Sequence, residues 1–264
     1  MTLKRIANTK GAVRLNLSGV DQTPLQYVGL MIVHLEAGNS FEVAPIVGRE
    51  QAIVVLSGQI RTRAYGVVGS RMSVFEGTPA AVIYLPPNAD MTVQAESWVE
   101  LAIATAPAAT SNYPQRLVRP GDVEQETRGS GTTQRFVHHL FEAPDQAERL
   151  LLVEVITPAG HWSSFPPHKH DEENPPTEAA LEELYYYHIQ PSDRWALQRV
   201  YNHEGLDETL TVSDGEAVLV PRGYHPVAAP PGSKVYYLNV MAGPHRDWYF
   251  TVDPDFSDLP GFRR

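Results

Sequence analysis

Two stretches decide how this chain is read: Gly160–His170, GHWSSFPPHKH, and Gly215–His225, GEAVLVPRGYH. On a strand, residues i and i+2 point to one face, so His168 and His170 can present both imidazoles to a single point. The second stretch is an apolar run that ends in Pro221, a glycine at 223 and a third imidazole, His225. Between them, ELYYYHI is a strongly β-prone run with Glu183 at its start. Its two-residue period puts Glu183, Tyr185 and Tyr187 on one face and Glu182, Leu184 and Tyr186 on the other, so only one of the two adjacent glutamates can look inward. Neutral imidazoles with a carboxylate suit a divalent ion, Zn or Mn before Fe or Ni, with open positions left for water or substrate.

Outward from these motifs the chain continues in short apolar runs. RFVHHLF, RLLLVEVIT, WALQRVYN and KVYYLNVMA surround them, and LMIVHL, AIVVLSG, AVIYLPP and VELAIAT fill the first half, all punctuated by Gly, Pro and Asn. Such material is mostly β. FEGTPAAVIYLPPNA and VSDGEAVLVPRGYH each run from Gly through a strand into Pro and a turn, a sign of weak internal duplication. Residues 106–130 lack periodicity and read as a connector, which places a boundary near residue 125 and two domains at 1–125 and 126–264. The acidic DEENPPTEAALEE, residues 171–183, reads as a solvated loop or one that covers a site.

A chain of 264 residues, 42% hydrophobic, can bury a core in each half. Its formal charge of −10 argues against nucleic acid as a partner. With no cysteine, disulfides, thiolate ligands and cysteine nucleophiles are excluded. No apolar run spans a membrane and the N-terminal residues do not read as a signal peptide, so a cytoplasmic enzyme is expected.

The two histidine stretches resemble the cupin superfamily, whose first motif runs Gly, HxH and Glu and whose second runs Gly, PxG and His. Here the second is Gly215, Pro221, Gly223 and His225, with one residue between Gly223 and His225 where two are more usual. In the first, Gly160 precedes His168, and the gap from His170 to Glu183 is longer than usual, which leaves Glu182, Glu178, Glu173 and Glu172 as alternative carboxylates. The longer strings GHWSSFPPHKHDEENPP, LEELYYYHI, DGEAVLVPRGYHPV and YYLNVMAGP look like the 5-deoxy-glucuronate isomerases of bacterial inositol catabolism.

That resemblance implies an all-β bicupin of two antiparallel double-stranded β-helix (jelly-roll) barrels. Only the second would keep metal, through His168, His170, Glu183 and His225; the first half has APIVGREQAIVVLSG and LPPNAD at the corresponding places, without histidine. It implies a homo-oligomer and an aldose–ketose isomerisation of a sugar acid. Rival readings are the related uronate ketol-isomerase of pectin breakdown, a cupin dioxygenase, and a sugar-acid-binding bicupin without catalysis. Tyr185 and Tyr187 share the face of Glu183, and Tyr237 and Asn239 share a face of the last long strand, so these line the candidate site. Arg199 in QRVYN is the first candidate for a carboxylate partner, because a planar guanidinium matches a carboxylate bidentately. Lys169 should point away from its flanking histidines. His161 is the remaining histidine that could stand near the mouth, whereas His188 falls on the face opposite Glu183.

Overall fold

A computed structural model of the chain describes residues 4–6, 11–17, 23–110, 112–143 and 146–259. Among these there are strands and single turns of 3-10 helix, and no α-helix. The described chain forms two compact units. One takes the chain up to Glu124 together with His139–Leu152; the other takes Gln125–His138 and Val153 onward, with the strand Lys4–Ile6. A single boundary near residue 125 does not describe this interleaving, because the strands Arg135–Phe141 and Leu151–Thr157 each supply residues to both units. The expected connector is also partly ordered sheet: Arg116–Val118 and Glu124–Arg128 are strands.

In the first unit the strand Arg49–Ser57 pairs antiparallel with Val99–Pro107 on one side and Ala81–Leu85 on the other. Val33, Ile53, Ile83 and Leu101 from this sheet meet Val43, Ile60, Val68 and Val93 from a four-stranded sheet to make the core. Each strand contributes alternate residues, as the two-residue period requires. The second unit repeats the plan. The strand Glu182–Gln190 pairs with Lys234–Ala242 and Glu216–Val220, followed outward by Leu151–Thr157, Arg135–Phe141 and Glu124–Arg128. A four-stranded sheet that includes Trp162–Ser163, Val227–Ala228 and Trp195–Tyr201 completes it.

The register exposes what the duplication kept and what it lost. Glu183 stands opposite Val220, the last strand residue before Pro221. Gln51 stands opposite Leu85, the last strand residue before Pro86. An amide therefore occupies the place of the carboxylate, and its Nε2 donates to the carbonyl of Ala44 at 2.9 Å.

Candidate active site

Three short segments deliver the imidazoles. The pair of residues His168–Lys169 bridges to Thr251–Val252, which is enough strand to point His168 and His170 the same way. His225 follows Gly223, whose φ of +93° suits glycine, and a Cβ there would lie 2.6 Å from the carbonyl oxygen of Tyr201. The chain must pass this close because Tyr201 and Tyr224 exchange backbone hydrogen bonds of 2.9 and 2.7 Å. All three imidazoles are buried, and their ring nitrogens lie within 4.8 Å of one another.

Each ring is oriented by a backbone carbonyl. Nδ1 of His168 faces Pro166 at 3.2 Å, that of His170 faces Leu181 at 2.9 Å, and that of His225 faces Gly223 at 2.8 Å. A carbonyl only accepts, so each Nδ1 carries the proton and each Nε2 presents a lone pair to the centre. The carboxylate of Glu183 reaches the same centre, with one oxygen 3.2 Å from His170 Nε2 and 3.0 Å from His225 Nε2. His225 Nε2 is near that oxygen yet is buried without a directed hydrogen bond. Lone pairs facing a carboxylate at this distance need a proton or a metal ion between them, and three Nε2 atoms with one carboxylate are the donor set of a divalent ion. The residues therefore fit a metal.

Electrostatics agree with a tight set. Burial drives the His168 imidazole well below its ordinary value, helped by His225 and His170. Burial also opposes charge on His170, but Glu183 outweighs it and raises that ring. Burial raises Glu183, and the imidazoles of His225 and His170 more than reverse this, so the carboxyl stays ionised. Its second oxygen accepts from Asn239 Nδ2. Of the alternative carboxylates, Glu178 accepts instead from Lys169 Nζ at 2.9 Å and from the Asp171 and Glu172 amides at 2.8 and 3.0 Å. Glu172 also binds Lys169, Glu173 accepts from the Ala180 amide, and Glu182 lies on the other face of its strand. Lys169 thus turns away from the imidazoles, into carboxylates.

A pocket of about 360 Å³, counting its open mouth, begins at His168 and Glu183 and is lined further by Ser164, Tyr185, Tyr237, Asn239, Arg128, Arg135 and Trp248. Ser164 has φ +48°, an unusual conformation for a non-glycine residue. Its hydroxyl lies 3.1 Å from that of Tyr185 and 3.4 Å from that of Tyr237. Burial raises both phenols, so they remain protonated donors. Tyr187 is buried on the same face but gives its hydroxyl to Gln198 Oε1 at 2.8 Å, and does not line the pocket.

Arg199 requires correction. It is exposed on the outer face of its strand, paired with Asp207 at 2.8 Å and stacked 4.0 Å above the Tyr201 ring. The guanidiniums that line the pocket are Arg128 and Arg135, which the sequence reading missed; Arg128 lies in the presumed connector and Arg135 opens RFVHHLF. His161 bonds through Nδ1 to the Gln134 carbonyl at 2.8 Å and does not line the pocket, and His188 pairs with Asp214 on the opposite face.

Comparison with known proteins converges on one family. The KduI/IolB family model matches residues 4–259. A 5-deoxy-glucuronate isomerase from Geobacillus thermodenitrificans is 46% identical over 235 residues, covering 87% of this chain and 85% of that one. One from Halalkalibacterium halodurans is 38% identical and covers 95% and 94%. An IolB-like protein crystallised from Salmonella typhimurium superposes with a TM-score of 0.92 at 38% identity, covering 97% of this chain and 98% of that one. Oxalate decarboxylase from Lactobacillus farciminis shares the cupin-like fold alone, with a TM-score of 0.67 at 10% identity over 96% and 88% of the chains.

Proposed function

The chain belongs to the KduI/IolB family, and from that premise we propose that it is a metal-dependent aldose–ketose isomerase, converting 5-deoxy-glucuronate to 5-dehydro-2-deoxy-gluconate in cytoplasmic myo-inositol catabolism. The observation that carries this reading is the convergence of three Nε2 lone pairs and the Glu183 carboxylate at the floor of an open pocket. The names of the similar proteins supply the substrate.

His168, His170, His225 and Glu183 would hold the ion, with Zn or Mn the best match to the donors. When bound, a divalent ion polarises a carbonyl oxygen and acidifies a neighbouring hydroxyl. The chain's own residues do the rest. Asn239 fixes the orientation of Glu183. Moving a hydrogen between adjacent carbons shifts negative charge onto their oxygens, and the Tyr185, Tyr237 and Ser164 hydroxyls are the donors that the pocket offers them. The buried tyrosines stay protonated, so they serve as donors and not as the base. No helix among the described residues is long and apolar enough to cross a membrane.

Elemental analysis paired with turnover of 5-deoxy-glucuronate tests this. The native protein should carry about one ion per chain and form product, and a His168→Ala, His225→Ala variant should lose both. Folded native protein without metal overturns the mechanism, and stoichiometric metal with oxygen uptake in place of isomerisation overturns the activity.

A further inference from the structure

The pocket has two chemically different ends. Glu183 lies with His168 at the imidazole cluster, and Arg135 and Arg128 lie three and four strands away across the same sheet. In a chain of net charge −10 a pair of guanidiniums inside a pocket is not background composition. Arg135 is 3% exposed, far below what an arginine usually tolerates.

The sheet explains the spacing. Tyr185 and Glu183, then Tyr237 and Asn239, then Val153 and Val155, then Arg135 and Val137 line the pocket from four successive strands. Three strand spacings are roughly 14 Å along the sheet, and its curvature shortens the path across. The guanidiniums are thus set apart from the imidazole cluster along one sheet, so that one ligand can meet both.

The guanidinium of Arg135 is held, not loose. Its Nη1 donates to the Thr133 carbonyl at 3.1 Å. Gly129, at φ +80°, brings the preceding turn so near that a Cβ would lie 2.9 Å from that same nitrogen. Arg128 is braced by Glu126, with bonds of 3.1 and 2.6 Å to one carboxylate oxygen. Burial, and then the charge of Arg128, push Arg135 down to about 10, which leaves it cationic at neutral pH. Two adjacent cations repel, and an arriving anion relieves them both.

We propose that Arg135, backed by Arg128, binds the carboxylate of the substrate and so directs the carbonyl end of the same molecule to the imidazole cluster. The assignment rests on the sugar-acid isomerase reading of this pocket. It makes the carboxylate the feature read at this part of the pocket and disfavours neutral sugars of the same length.

Calorimetric binding of D-gluconate, which has no carbonyl to isomerise, against uncharged D-glucitol tests the assignment in metal-loaded protein. Native protein should prefer gluconate by about tenfold or more. Arg135→Gln should bring the two within about twofold while metal content stays unchanged, and Arg135→Lys, which keeps charge but not the planar fork, should fall between. A preference that survives in folded Arg135→Gln places the anion elsewhere, on the ion for instance, and overturns the proposal; so does equal binding of both compounds by native protein. Should Arg135→Gln fail to fold, Arg128→Gln and Arg135→Lys give the same readout, with partial loss expected and full retention in both overturning the proposal. If Arg135 governs the preference but native protein does not isomerise 5-deoxy-glucuronate, the isomerase reading fails and the anion site stands.

Discussion

A guanidinium at 3% exposure carries a desolvation cost that its hydrogen bonds only partly return. For Arg135 the cost is legible in its titration, which burial lowers from the ordinary arginine range to about 10. That difference corresponds to on the order of 3 kcal/mol disfavouring the charged form in the folded state. The sign follows from linkage: below about pH 10 both folded and unfolded chains carry the charge and the folded state bears the full penalty, which is relieved only as pH climbs above about 10 towards the ordinary arginine value. Arg135→Met should therefore raise the midpoint of thermal unfolding by a few degrees at constant increment between pH 6 and 9, since the desolvation cost outweighs the hydrogen bonds lost, the one to Thr133 among them. A residue kept for packing would show a fall on differential scanning calorimetry. Arg199 was mistaken for this residue because the sequence of its strand does not set its phase. Both faces of WALQRVY carry apolar residues: Trp195, Leu197 and Tyr201 share the face of Arg199, while Ala196, Gln198 and Val200 point in. At His168, His170 and Glu183 the phase was legible, since i and i+2 spacing and a choice between adjacent glutamates are local properties of a strand.

The elements that carry the three histidines are two-residue bridges and turns, so they depend on side-chain ties that no periodicity announces. Asp171 is the tie between the two histidine stretches: its Oδ2 accepts from the Gly223 amide at 2.8 Å and its Oδ1 from Lys169 at 2.6 Å. Glu178, 3% exposed, closes the loop from below. Asp171→Ala should weaken metal binding about tenfold without removing a ligand, by releasing the turn that aims His225. Asp171→Asn, which still offers an oxygen to Gly223, should recover most of it. Competition against a chromogenic chelator measures both, and unchanged affinity in Asp171→Ala would show that the Tyr201–Tyr224 bridge suffices. The acidic insertion is thus a brace for the centre, and its composition alone could not separate that role from a solvated loop. The long strands were legible because they are apolar or aromatic throughout. Glu124–Arg128, EQETR, is polar throughout, half-exposed and at the rim of its sheet, so it left no signal, and Arg128 was lost with it.

At the scale of the molecule the duplication fixed two β units, but their composition in sequence is set by a buried carboxylate that no pattern of strands foretells. Glu50 has no exposure, and its two oxygens accept from the Tyr84 hydroxyl at 2.8 Å and from the amides of Glu148, Arg149 and Leu150 at 2.9, 2.7 and 2.7 Å. The segment His139–Leu152 therefore belongs to the unit of Glu50, although it follows the apparent boundary by fourteen residues or more. Phe141 stacks on Tyr84 in the same unit, 5.5 Å between ring centres, and adds apolar contact to the polar one. A fragment of residues 1–125 keeps Glu50 buried and strips it of three amide donors, which should cost about 3–5 kcal/mol, about a fifth or more of what a typical domain has to lose. A fragment of residues 1–152 restores the donors. Limited proteolysis should thus degrade 1–125 rapidly and leave 1–152 largely intact, and Glu50→Ala in the whole chain should lower the urea midpoint by an amount consistent with the same loss. Equal resistance of the two fragments would mean that the sheet core of Val33, Ile53, Ile83 and Leu101 holds the unit without the carboxylate, and that the late segment is a passenger on it.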